Sequence, residues 1–168
     1  MRRHYLAALI LCLLNVMTSF AQASDEAKKV DAFGNICCAE VKARLDDFAN
    51  RVLNEPMARG YIIFYGGRRY ASCDYSLPRV PRRGEAQARA QRMVSYLHDA
   101  YDAIDGFPLA LVDGGYREEW AAELWVVPNW NKPPKATPTL EAKDVRYRRG
   151  KISKSEYECL KYARRRAT

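Results

Sequence analysis

The chain has 168 residues, 48% of them hydrophobic, and a formal net charge of +8, which suits one ordinary domain with some length to spare. The charge is segregated: residues 24–128 carry 14 Lys+Arg against 16 Asp+Glu, whereas 129–168 carry 12 against 4. A uniformly basic body is thereby excluded, and the basic C-terminal segment points to an anionic partner such as lipid headgroups, a wall polymer or an acidic protein.

At the N-terminus, Arg2 and Arg3 precede an apolar run from Tyr5 to Val16, and Ala21-Gln22-Ala23 follows. Basic start, short apolar core and small-x-small site together predict an export signal cleaved after Ala23. The run is shorter than the roughly 20 apolar residues a membrane span needs. Export makes nucleic acid a poor partner in spite of the charge. It also permits disulfides, for which Cys37, Cys38, Cys73 and Cys159 are the candidates. Four cysteines allow three pairings. Neighbours such as Cys37 and Cys38 fit disulfide geometry poorly, so one of them is expected to pair with Cys73 or Cys159.

In chain order, Val30 to Ile36 predicts a short strand and a turn. Val41, Leu45, Phe48, Val52 and Leu53 form one apolar stripe at helical spacing, and this predicts a helix over 39–53. Pro56 stops it, because proline disfavours helical geometry in the preceding residue. Tyr61-Ile-Ile-Phe-Tyr65 is an apolar run of strand length. Residues 66–84, with Gly66-Gly67, Pro78, Pro81 and several arginines, are expected to form a long functional loop. Ala86, Ala90, Met93, Val94, Leu97 and Tyr101 predict a second helix over 85–101. Leu109–Val112 reads as a buried strand, Asp113-Gly114-Gly115-Tyr116 as a turn, and Ala122–Val127 as a last strand ended by Pro128. Residues 129–140 hold three prolines and read as a linker, leading into the basic tail 141–168.

Several local strings are similar to those of the OmpA-like peptidoglycan-associated domain. They are the first helix from Ala43 to Pro56, the strand Tyr61-Ile-Ile-Phe-Tyr-Gly66, Ala88-Arg89-Ala90 with Tyr96-Leu97, and Asp113-Gly-Gly-Tyr116 with Glu123-Leu124. The resemblance spans residues 30–128. It implies a β-α-β-α-β-β order with the helices on one face of a small mixed sheet. It also implies a site in which an Asp pairs with the amine of diaminopimelate while a helix Arg forks onto its carboxylate. Arg89 matches the helix arginine. At the Asp position this chain carries Arg69, in Gly66-Gly67-Arg68-Arg69, and Trp120 and Ala121 stand where the family has paired arginines. The amine-binding half is therefore charge-reversed, and Asp74 replaces it only where the loop folds back.

No nucleophile, phosphate loop or paired CxxC accompanies Glu118, Glu119 or His98, so neither catalysis nor a metal or cofactor is expected. The expected fold is α/β, as an α+β sandwich over 24–128. The expected function is a non-catalytic cell-envelope binding module, periplasmic or outer-membrane associated. Its ligand-binding residues would be Arg68, Arg69, Arg89 and Asp74, and its partner a cell-wall component or an envelope protein. The competing reading is a structural or interaction protein that docks on an anionic membrane surface or a protein partner through 141–168.

Overall fold

The computed structural model describes residues 26–55, 57–71, 78–101, 106–128, 131–152 and 160. The element order is β1 (Lys28–Phe33), α1 (Cys38–Asn54), β2 (Arg59–Arg69), α2 (Glu85–Tyr101), β3 (Leu109–Glu119) and β4 (Ala121–Val127), followed by a short 3-10 turn (Ala142–Asp144). That is the strand-helix-strand-helix-strand-strand order expected from periodicity, and the fold is an α+β sandwich with a small mixed sheet.

The sheet runs β1-β4-β2-β3. β2 and β3 are parallel and joined by α2; β4 then turns back antiparallel between β1 and β2. Alternation along the strands gives the sheet two chemically distinct faces. On one face Ile62, Ala122, Leu124 and Val126 meet Leu45 and Phe48 of α1 and Met93 and Leu97 of α2, all within one core cluster. Polar ties then fix the helices. Asp46 of α1 accepts hydrogen bonds from the hydroxyls of Tyr96 at 2.9 Å and Tyr101 at 3.2 Å. Arg44 Nη1 donates to both oxygens of Asp31 in β1 at 2.8 and 3.0 Å, a charge-assisted contact stronger than a neutral bond.

The opposite face carries Ile63, Tyr65, Glu123 and Val127, each at most 3% exposed although no helix packs there. Residues 131–140, expected to form a linker, lie on this face. The Tyr65 hydroxyl accepts the Thr137 N–H at 3.1 Å, Arg117 donates to Thr137 Oγ1 at 2.7 Å, and Leu140 bridges to Tyr116 of β3. Farther on, Arg148 N donates to Pro81 O at 2.9 Å, Val145 is 7% exposed, and Leu160 belongs to the helix-side core at 3%. Residues 131–152 and Leu160 are thus part of the folded body.

Two glycine pairs, one expected to open a loop and the other to form a turn, lie inside strands. A Cβ at Gly66 would sit 2.8 Å from the Tyr116 ring, and one at Gly67 would collide with the backbone nitrogen of Trp120. These glycines therefore serve close approach of β2 to its neighbours. Gly114-Gly115 forms a bulge, where the register with β2 shifts between Phe64 and Gly66 and Gly115 takes φ +85°, a conformation that suits glycine.

Cys38 is disulfide-bonded. Cys73, Cys159, Asp74 and the segment 1–23 lie outside the described residues. Among the described residues no helix is long and apolar enough to cross a membrane.

Candidate anion-binding surface

Because β2 continues through its glycines, it delivers Arg68 and Arg69 to the end of the sheet, both exposed. Arg68 faces Glu118 of β3 at 3.4 Å, with 44% and 60% of the side chains exposed. A pair that open to solvent binds weakly and yields readily to another anion. Arg69 and Arg146 form no ion pair among the described residues. Lys143 sits 2.6 Å from its sequence neighbour Glu141, with both side chains largely exposed.

The docked C-terminal segment brings these groups together. Arg68, Arg69, Val80, Lys143, Asp144 and Arg146 line one surface hollow of about 560 Å³. Four cations line it with one carboxylate, Asp144, and two of them, Arg68 and Lys143, also face the exposed Glu118 and Glu141 at its edge. The Debye length at physiological ionic strength is about 8 Å, so charges within one hollow act jointly on a ligand where scattered ones do not. Guanidinium groups dominate the set, and their planar donor forks match carboxylate or phosphate oxygens.

Of the residues expected to bind ligand, the structure unites Arg68 and Arg69 and sends Arg89 elsewhere. Arg89 is 5% exposed. Its guanidinium lies 3.7 Å from the centre of the Trp120 ring, and it donates to Asn35 Oδ1 at 3.0 Å and Gly34 O at 3.5 Å. Those contacts tie α2 to the chain leaving β1, so Arg89 holds the fold together and does not reach the hollow. Arg89→Ala should lower stability by about 2–3 kcal/mol through the lost cation–π contact and hydrogen bond. The urea midpoint should fall accordingly while the folded protein keeps its affinity for anions. A midpoint equal to that of the parent chain would return Arg89 to the surface.

The other arginines of segment 66–84 are also divided. Arg79 grips the fully buried Glu85 at 2.6 and 2.9 Å. Arg82 and Arg83 line a separate cavity with Tyr116 and Tyr147.

Sequence reasoning missed Lys143 and Arg146 as site residues. The signal that could have found them was the charge asymmetry of 129–168, but charge alone does not show where a segment docks. Comparison of the chain with protein-family models, curated proteins and solved structures finds no match.

Proposed function

We propose that this protein is a non-catalytic, exported binding module of the cell envelope that holds an acidic wall polymer over Arg68, Arg69, Lys143 and Arg146. The carrying observation is the hollow in which cations from the end of β2 and from the C-terminal segment meet. The two basic features that the sequence keeps about 75 residues apart are one surface, so the loop-based and tail-based readings merge. Export is supported by the basic-apolar-small pattern of residues 1–23 and by the disulfide at Cys38, since disulfides persist in oxidising compartments. A polymer suits the hollow better than a single small anion, because it engages several partly screened cations at once.

The test is cosedimentation of the folded chain with purified peptidoglycan sacculi at physiological ionic strength, with the double variant Arg69→Gln/Arg146→Gln beside it. Removing two convergent charges should weaken binding about tenfold or more, at roughly 1 kcal/mol for each charge. Absence of binding to sacculi, or full retention by the double variant, would reject the reading. Binding to anionic phospholipid vesicles and not to sacculi would replace it with docking on a membrane surface, for which the exposed Arg149 and Lys151, following Arg146 in the chain, are the supporting feature.

A further inference from the structure

A second cavity, of about 220 Å³, opens beside the middle of the parallel strands β2 and β3, where the Gly114-Gly115 bulge interrupts their register, against the first turn of α2. The volume is below the roughly 300–1,000 Å³ of pockets for larger ligands. At about 30 Å³ per water it holds roughly seven waters' worth of matter, the scale of one sugar ring.

Its walls are of three kinds. Phe64, Tyr116 and Tyr147 supply aromatic surface, and Gly66 and Gly67 contribute backbone to the wall, with the Tyr116 ring packed over Gly66. Arg82 and Arg83 supply positive charge, with the Arg83 guanidinium 5.0 Å from the Tyr147 ring centre. Asp113 supplies an exposed carboxylate: Oδ1 accepts the Gly115 N–H at 2.9 Å, and Oδ2 has no partner among the described residues. The Tyr147 hydroxyl donates to the Tyr116 hydroxyl at 3.1 Å, leaving the Tyr116 proton available to a ligand oxygen. Burial, followed by the bond to Tyr116, pushes the Tyr147 phenol up to about 12, so Tyr147 stays neutral across the physiological range.

We infer that this cavity is a subsite for one acidic sugar unit, with the ring against Tyr116 and Tyr147, its carboxylate toward Arg82 and Arg83, and a hydroxyl donating to Asp113. A carboxylate is an acceptor only, so Asp113 selects hydroxyl donors. It also repels a doubly charged phosphate more than a singly charged uronate, which argues against a phosphorylated ligand. The inference rests on the proposed function, because the stretches of chain that line the two sites adjoin. Arg68-Arg69 follow Gly66-Gly67 directly in β2, and Arg146 directly precedes Tyr147. A polymer with one unit in the cavity therefore runs its neighbouring acidic groups over the basic hollow.

The test is a heteronuclear NMR titration of the full chain with D-galacturonate, D-galactose and trigalacturonate. Galacturonate should shift the resonances of Phe64, Gly66, Tyr116 and Tyr147, and galactose should bind about tenfold more weakly for want of the charge-assisted bonds. Arg83→Gln, at an exposed position where folding is undisturbed, should reduce galacturonate affinity by a similar factor. Trigalacturonate should bind more tightly than the monomer, and that advantage should fall in Arg69→Gln/Arg146→Gln. If galacturonate leaves the cavity resonances unmoved, or binds no better than galactose, the subsite is overturned even where the trimer still depends on Arg69 and Arg146. If galacturonate fills the cavity but the trimer gains nothing from Arg69 and Arg146, the basic hollow loses its proposed role and the continuous track is overturned with it.

Discussion

A chain ending at Pro128 should fail to reach the native fold, although it retains every regular helix and strand of the sandwich. Such a truncation strips the second face of the sheet. Tyr65 is fully buried there, its hydroxyl bonded to Thr137, and Arg117 donates to both Thr137 Oγ1 at 2.7 Å and Thr137 O at 3.3 Å. It also removes Val145 and Leu160, 7% and 3% exposed, the latter from the helix-side core. Burial of each large apolar side chain contributes about 1.5–3 kcal/mol, so losing the cover of Tyr65 together with Val145 and Leu160 should cost about 5 kcal/mol or more. That is comparable with the whole stability of a typical domain, about 5–15 kcal/mol. The expected product is a collapsed chain with helical circular dichroism, poor amide dispersion and no sharp urea transition. A cooperative transition near that of the parent would show that residues 131–160 merely rest on the sheet. The same result governs how the basic segment is probed: its deletion removes the fold along with the charge, so single charge-neutralising substitutions are the informative variants.

Periodicity carries much of this architecture. The stripe Val41, Leu45, Phe48 and Val52 is the buried face of α1, and the second helix runs over the residues its spacing predicts, Glu85–Tyr101. The strand ends were hidden because glycine has two structural meanings. Gly66-Gly67 and Gly114-Gly115 resemble turns in composition, yet the first pair makes room for Tyr116 and Trp120 and the second forms a bulge within β3. The alternation of faces in β2 was masked for a similar reason. An unbroken apolar run announces burial on both sides, but it does not say that a proline-containing segment supplies the second cover. Arg89 was misplaced by local similarity: a helix arginine at the matching position serves a ligand or a tryptophan according to what stands opposite, and here Trp120 does. Arg68 and Arg69 were legible as exposed charge, whereas their union with Lys143 and Arg146 depends on contacts between distant stretches of chain.

The largest single-residue effect should come from Glu123. This carboxylate is 3% exposed on the face covered by the C-terminal segment, and its two oxygens serve four donors. Arg117 approaches Oε1 at 2.8 Å and Lys29 the same oxygen at 3.5 Å, while the Tyr65 hydroxyl donates to Oε2 at 3.3 Å and Trp125 Nε1 at 3.2 Å. Glu123→Ala leaves Arg117 partly buried without its anion and should cost about 3–5 kcal/mol. Glu123→Gln should cost less, about 2 kcal/mol, because an amide keeps one acceptor oxygen but turns a donor toward the remaining donors. Acid sensitivity follows from the same contacts. Burial alone would raise the carboxyl, but the hydrogen bonds from Arg117 and Trp125 and the charges of Lys29 and Arg117 outweigh it and hold its pKa below the ordinary value. The folded protein therefore releases this proton more readily than the unfolded chain, whose glutamates titrate near 4.3. The resulting stabilisation is complete above that unfolded value. It shrinks as pH falls from there toward the folded value, over which the unfolded chain binds the proton first, and it is gone once both states are protonated. Urea midpoints measured from pH 6 down to pH 3 should therefore fall less steeply in Glu123→Gln than in the parent chain. Parallel curves for the two proteins would mean that the acid response belongs to other carboxylates and that the Arg117–Glu123 contact has no protonation-linked weight.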